Sequence, residues 1–141
     1  MRTMSAMIAA AVVGLFAVPV LPHHSVAGEF DPSKPVTVTG IVTKIDWVNP
    51  HSRVHFDVAN PDGTVTSWSV ELAARVVLER MGWTGRSLKI GETITVRGDQ
   101  ARSGAPKMNA RGRELAQIRD GGTPTEFPIT LANGTPILNE R

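Results

Sequence analysis

The four histidines of this sequence, His23, His24, His51 and His55, are the side chains best suited to binding a metal ion. Neutral imidazole is a preferred ligand of copper, zinc and nickel. If processing made His23 the N-terminal residue, its amine and ring together with His24 would chelate one copper ion, and His51 would complete the site. His55 follows His51 by roughly 13 Å along an extended strand, too far to share that ion without a bend. The spacing therefore predicts a copper-type site at His23, His24 and His51. The alternative is a polar linker pair, with His51 capping a turn.

A second group of side chains predicts a binding surface. Glu71 ends a predicted strand, where it is placed to pair locally or to accept a hydrogen bond from His51. Arg111 and Arg113 flank a glycine and are able to hold an anion, although a solvated basic hairpin is the commoner arrangement. The predicted surface comprises Trp47, Asn49, Glu71, Arg111 and Arg113.

Catalytic motifs are absent from the sequence. There is no cysteine nucleophile, no phosphate-binding loop, and no Gly-x-Ser-x-Gly or His-Glu-x-x-His pattern. Asp46, Asp57 and Glu71 are candidate acids or bases, but nothing in the sequence places two of them at a common site. We therefore predict a protein that is not an enzyme and has no catalytic residues. An enzyme that combines Asp46, Glu71 and a histidine is the less favoured alternative.

Composition excludes several further classes of site. The 141 residues contain no cysteine, which excludes disulfides, covalently attached haem and a lipidated N-terminal cysteine. Fifteen Lys and Arg against thirteen Asp and Glu leave a net charge of only +2, too weak to indicate a nucleic-acid partner.

The N-terminal segment has the features of an export signal. Arg2 is followed by an apolar run at 6–18, and Pro19 and Pro22 end any helix there. The run is shorter than the roughly 20 residues that span a bilayer. We predict a cleaved signal peptide at 1–22, with cleavage as late as residue 28, and a periplasmic or secreted protein that is neither a lipoprotein nor inserted in the membrane. An uncleaved anchor is the alternative.

The remaining sequence predicts a small β-barrel. Strands are expected at 36–48, with a bulge at Gly40, and at 51–58 and 64–71, joined by a turn containing Gly63. A short helix over 72–82 and strands at 91–98 and 107–119 follow. This order predicts a mainly β, five-stranded, OB-like, partly open barrel at 29–120, with its helix between the third and fourth strands. An SH3-like barrel or a small open sheet is the alternative, and 121–141 is expected to be an irregular tail.

Several short motifs in one order resemble a family of small exported bacterial proteins classed as a domain of unknown function. They include the histidine pair with Ser25, Phe30-Asp31, the strand 36–40, the segment 47–51, Asp62-Gly63, Trp68 with Glu71, and Gly82-Trp83. The resemblance covers about 23–118 and implies a periplasmic β-barrel, without an established activity.

These observations predict a non-enzymatic periplasmic binding or accessory domain. Its expected partner is an envelope protein or a small ligand, and no cofactor is covalently bound. A periplasmic copper-type metal-binding protein is the alternative function.

Overall fold

The computed structural model describes residues 26–110 and 129–133, and every structural statement below concerns these residues. They form two short helices and six strands. In chain order these are α1 (Val26–Glu29), β1 (Phe30–Asp46), β2 (Arg53–Ala59), β3 (Val65–Glu71), α2 (Arg75–Arg80), β4 (Thr93–Ala101), β5 (Lys107–Asn109) and β6 (Ile129–Leu131).

Five of the strands close into a barrel. Neighbouring strands follow the order β1, β2, β3, β5, β4, and β1 also pairs with β4, which closes the ring. The β3–β5 pair is parallel and the other pairs are antiparallel. This strand order, with α2 between β3 and β4, is that of an OB-like barrel and confirms the predicted fold class. β6 lies outside the ring and pairs with β4.

The β2–β3 hairpin is confirmed with small changes in its bounds. Val54 and Phe56 of β2 are buried, at 2% and 0% exposure, because alternate residues of a strand point to the same face. The turn between the strands places Gly63 at φ +83°, a conformation that glycine adopts without steric cost. Asp62 accepts hydrogen bonds from the main-chain N–H and the hydroxyl of Thr64, at 2.9 and 2.6 Å, which fixes the turn.

The irregularity of β1 lies two residues after the predicted bulge. The register with β2 shifts between Val42 and Lys44, so the bulge predicted at Gly40 is wrong. Gly40 is instead required by close packing, because a Cβ there would lie 2.5 Å from the carbonyl oxygen of Asp57. Past Gly40, Val42 is 1% exposed and points to the core, whereas Ile41 is 52% exposed and points away from it.

Several predicted boundaries also differ from the structure. The first strand was predicted at 36–48, but β1 already begins at Phe30, which pairs with Ala101 of β4. The helix is confined to Arg75–Arg80, and β5 is described only at Lys107–Asn109. The rest of the predicted fifth strand, 111–119, lies outside the described residues.

The tail expected to be irregular contains β6 at Ile129–Leu131. Ile129 is fully buried and pairs with Val96, so this part of 121–141 packs against the barrel. The other tail residues, apart from 132 and 133, lie outside the described part of the chain, as does the predicted signal segment 1–22.

The core fills the inside of the barrel and the space under α2. Its largest fully buried side chains are Phe56, Leu72, Leu78, Ile94, Met108 and Ile129, together with Trp83 at 2% exposure. Trp47 and Trp68 are partly buried and pack against this core, which places all three tryptophans in or beside it. Across 26–110 and 129–133, no helix is long and apolar enough to cross a membrane.

Candidate functional site

The outer face of β2, β3 and β5 carries two rows of polar side chains. The strand register aligns His55, Ser69 and Lys107 in one row, and Arg53, Glu71 and Asn109 in the next. The intervening residues of these strands, among them Val70 and Met108, are buried in the core. Since side chains alternate between the two faces of a strand, both polar rows lie on the face opposite the core, where Glu71 and Asn109 are covered by their neighbours and are 8% and 4% exposed.

A cleft of about 170 Å³ lies on this face. Its lining is Glu29, Phe30, Arg53, His55, Ser69, Glu71, Lys107 and Met108. All but the first two come from the three strands. Glu29 and Phe30 come from the junction of α1 and β1, where Phe30 pairs with Ala101, the last residue of β4.

Arg102 fixes α1 in this position. Its main-chain N–H donates to the carbonyl of Glu29 at 2.9 Å, and its Nε donates to the carbonyl of Ala27 at 3.0 Å. The ammonium group of Lys107 donates to Oε1 of Glu29, so the side chain of Glu29 is directed to the edge of the cleft. A carboxylate from the N-terminal segment thus forms an ion pair with a lysine of the barrel.

Glu71 is the most buried charged side chain of the cleft, with a residue exposure of 8%. Its Oε1 lies 3.1 Å from Nδ1 of His51, and its Oε2 accepts a hydrogen bond from Nη2 of Arg53, also at 3.1 Å. The sequence analysis expected Glu71 either to pair locally or to accept from His51, and the structure places the two groups within 3.1 Å. One buried carboxylate therefore orients an imidazole and a guanidinium together.

His55 has a separate carboxylate partner. Its Nε2 lies 2.8 Å from Oδ2 of Asp46, while Nζ of Lys44 lies 2.8 Å from Oδ1 of the same side chain. The hydrogen bond from Lys44, and next that from His55, lower the pKa of Asp46 below its ordinary value of 3.8. Asp46 is therefore ionised at neutral pH and accepts a proton-bearing nitrogen, which leaves Nδ1 of neutral His55 with its lone pair.

The residues of the predicted binding surface do not share one place. Glu71 lines the cleft, whereas Trp47 and Asn49 do not. The Trp47 ring lies beside Gly85, where a Cβ would be 3.6 Å from it, and Oδ1 of Asn49 accepts from the N–H of Val76 at 3.4 Å. Both belong to the surroundings of α2. Arg111 and Arg113 lie outside the described residues.

Of the three residues predicted to bind a metal ion, His51 belongs to the described part of the chain, whereas His23 and His24 lie outside the described residues. Within 26–110 and 129–133, no three histidine, aspartate or glutamate side chains come together in a group that would hold a metal ion. His51 and His55 instead contact different carboxylates.

Besides the apolar Phe30 and Met108, the sequence analysis missed four polar residues of the cleft, Glu29, Arg53, Ser69 and Lys107. The alternation of β2 and β3 gave a usable signal for two of them, because Arg53 shares a face with His55 and Ser69 shares one with Glu71. Nothing local indicated Glu29 or Lys107, which are brought together by the closure of the barrel.

Comparison with known proteins gives a family and a weak structural likeness. A model described as a family of unknown function, DUF6152, matches residues 11–110. No curated protein matches the chain. Among solved structures, the chain is similar to the small single-stranded DNA-binding protein from Streptomyces coelicolor, with 15% identity and a TM-score of 0.33. The match covers 52% of this chain and 82% of that one. A likeness at this level carries no conclusion about a ligand.

Proposed function

The chain belongs to the DUF6152 family of unknown function, and from that premise we propose that it is a non-enzymatic periplasmic binding module whose small ligand occupies the cleft on β2, β3 and β5. The observation that carries the proposal is the cleft itself. Charged and polar side chains from three adjacent strands and from α1 converge there on a space of about 170 Å³. Convergent polar groups in a concave site are the usual mark of a binding pocket.

The size of the cleft favours a small ligand or one terminal group of a larger one. Pockets that enclose a drug-sized molecule measure roughly 300–1,000 Å³. A cavity of about 150 Å³ is sufficient for benzene. The cleft therefore suits a ligand of a few non-hydrogen atoms.

The charges of the cleft disfavour a nucleic acid as its ligand. Arg53 is paired with Glu71, and Lys107 with Glu29, so each cation already has a carboxylate partner. A nucleic-acid site needs an excess of positive charge along a groove. The paired cleft offers no such excess.

A thermal-shift screen of small polar molecules tests this function, with an oligodeoxythymidine included as the nucleic-acid probe. A hit is then measured by calorimetry on the wild type, on Arg53→Gln in the cleft, and on Arg75→Gln in the exposed pair with Glu79. We expect the cleft variant to weaken binding at least fivefold and the control to leave it unchanged. Equal binding by all three proteins, binding only of the oligonucleotide, or chemical conversion of the ligand would overturn the proposal.

The periplasmic location has its own test. Intact mass of the protein recovered from a periplasmic extract is expected to show cleavage between residues 22 and 28. Retention of the full-length chain in the cytoplasm would contradict it. The same measurement decides whether His23 and His24 are present in the working protein.

Transition-metal binding is a second candidate function, favoured by the orientation of the two described histidines. Each has one ring nitrogen against a carboxylate, His51 on Glu71 and His55 on Asp46. Metal-binding histidines commonly have such a partner, because it fixes the ring and leaves the other nitrogen for the ion. His23 and His24 would supply the remaining nitrogen ligands, together with His51.

The test is titration of correctly processed protein with Cu(II), followed by electron paramagnetic resonance. Nitrogen hyperfine coupling that is lost on His51→Ala and on removal of His23 and His24 would support a copper site. A spectrum unchanged by both would overturn it. The variant His55→Ala serves as the matched control, because His55 is oriented by a different carboxylate.

A further inference from the structure

Ser69 and Lys107 contribute two hydrogen-bond donors to the lining of the cleft. They are register partners in the parallel β3–β5 pair, so their strands are about 4.8 Å apart. A hydroxyl and the flexible ammonium of a neighbouring strand, both lining one cleft, are able to bind the same carboxylate, and the ammonium makes the stronger, charge-assisted bond. Both side chains line the cleft.

The barrel strands alone leave the cleft with more positive than negative charge. Arg53 and Lys107 are its two fixed cations, and Glu71 is the one carboxylate that the strands contribute. Both oxygens of Glu71 are already engaged, by His51 and by Arg53. The charge of Lys107 is matched by Glu29, which belongs to α1 and not to the barrel.

The Glu29–Lys107 contact is of a kind that a competing carboxylate is able to replace. The two side chains are 37% and 41% exposed, and exposed ion pairs contribute little to stability. No residue of α1 is buried. The main chain is anchored at the next residue, Phe30, which is 3% exposed, so only the side chain of Glu29 has to rotate for Lys107 to become accessible.

Building on the binding function proposed above, we propose that the cleft binds the carboxylate of a small organic acid at Lys107 and Ser69, and that Glu29 is an internal competitor for the same place. The glutamate side chain beyond its Cα has the structure of propionate. The contact between Lys107 and Glu29 therefore indicates that Lys107 binds a carboxylate of this kind. The ligand would displace Glu29, and the N-terminal segment would set its apparent affinity.

Propionate is the probe for this proposal, and propionamide is its uncharged control. Binding is followed by ¹H–¹⁵N NMR of the folded protein, with ionic strength held constant by sodium chloride. The proteins compared are the wild type, Glu29→Gln and Lys107→Met. If Glu29 holds Lys107 in nine molecules of ten, removing its charge raises the apparent affinity about tenfold. Lys107→Met is expected to abolish the shifts, and propionamide is expected to produce none.

Matched controls separate this effect from a general change in charge or fold. Glu79→Gln removes a carboxylate from an exposed ion pair outside the cleft and should leave the affinity for propionate unchanged. Ser69→Ala removes only the neutral donor and should weaken binding severalfold. Well-dispersed NMR spectra establish that each variant is folded before its affinity is compared.

The outcomes distinguish this inference from the function on which it rests. Equal affinity of the wild type and Glu29→Gln for propionate, or equal binding of propionate and propionamide, would overturn the inference. It would also be overturned if propionate bound none of these proteins while another ligand still bound the cleft, which would leave the binding function intact. If no molecule of the screen binds at the cleft, both fail.

Discussion

Nδ1 of His51 lies 3.1 Å from Oε1 of Glu71, which links the loop before β2 to the last residue of β3. The same carboxylate accepts a hydrogen bond from Arg53 through its other oxygen. Next to it, the main chain joins the two segments as well, because the N–H of Leu72 donates to the carbonyl of Ser52 at 2.9 Å and the N–H of Ser52 donates to the carbonyl of Ala73 at 3.1 Å. Glu71 therefore holds the open end of the β2–β3 hairpin together and forms one wall of the cleft.

Truncating Glu71 should destabilise the protein through the partners it leaves behind. Glu71→Ala removes the partner of both His51 and Arg53; because these side chains are 33% and 53% exposed, water replaces part of each lost contact, and we expect a cost of about 1–2 kcal/mol. The measurement is the free energy of unfolding from urea denaturation. The control Glu79→Ala removes an exposed ion pair with Arg75 and should cost at most about 1 kcal/mol. Equal losses in the two variants would contradict the bridging role of Glu71.

Asp46 should titrate below its ordinary pKa of 3.8, because Lys44 and then His55 donate hydrogen bonds to its ionised form. A ¹³C NMR titration of its carboxyl carbon measures the midpoint directly. Lys44→Met should raise the pKa, since the larger cause of its lowering is removed. Lys89→Met, a lysine outside this cluster, should not change it. A midpoint at or above 3.8 in the wild type would contradict the geometry.

The same lowered pKa predicts how stability depends on pH. A carboxyl whose pKa is lower in the folded than in the unfolded state stabilises the fold above its unfolded pKa, and this contribution is lost as pH falls through the folded pKa. The difference in unfolding free energy between wild type and Asp46→Asn should therefore be constant at neutral pH and shrink below about pH 3.8. A difference that grows on acidification would have the wrong sign.

Any side chain at position 40 should destabilise the protein, because atoms of β2 lie close to Gly40 across the β1–β2 pair. A Cβ would lie 2.5 Å from the carbonyl oxygen of Asp57 and 2.9 Å from the ring of Phe56. We expect Gly40→Ala to lower the unfolding free energy by about 1–3 kcal/mol, as overpacking does, and Gly40→Val to lower it further. At Gly85 the nearest atom would be 3.6 Å away, so Gly85→Ala should change stability by less than about 0.5 kcal/mol. Equal effects at the two glycines would contradict this explanation.

Phe56 and Trp68 are cross-strand partners with different burial, and their truncation should differ accordingly. Phe56 is fully buried, so Phe56→Ala should cost about 3–5 kcal/mol. Trp68 is only partly buried against the core, and Trp68→Ala should cost less. Guanidinium denaturation of both variants tests the order. A larger loss for Trp68→Ala would show that its ring contributes more than its burial indicates.

The sequence was informative where local rules act. In β2, Val54 and Phe56 alternate with polar residues, a pattern that indicates which face packs inside, and the turn containing Gly63 predicted the hairpin. Side-chain alternation and the φ that glycine tolerates depend on neighbouring residues, so both can be recognised from a short segment of sequence. The order of these elements was then sufficient to predict an OB-like barrel.

The predictions failed where a distant segment decides the outcome. Gly40 was assigned to a bulge because the pattern of β1 changes there, but the residue is constrained by Asp57 of the neighbouring strand. Residues 30–35 have two prolines and little alternation, yet they extend β1, because β4 provides pairing partners for Phe30 and Pro35. A strand that pairs with one neighbour along its first part and with another along its last part has no single pattern of alternation in its sequence.

The cleft, too, was predictable from the sequence only in part. By itself, the sequence determined the strands, the outward face of β2 and the end of β3 at Glu71. Only the tertiary structure decided that β5 lies parallel to β3, which aligns Lys107 with Ser69, and that α1 brings Glu29 to the same lysine. The physical reason is that strand pairing and ion pairs join residues far apart in sequence. Their energy depends on the distances set by barrel closure and not on the residues adjacent in the chain.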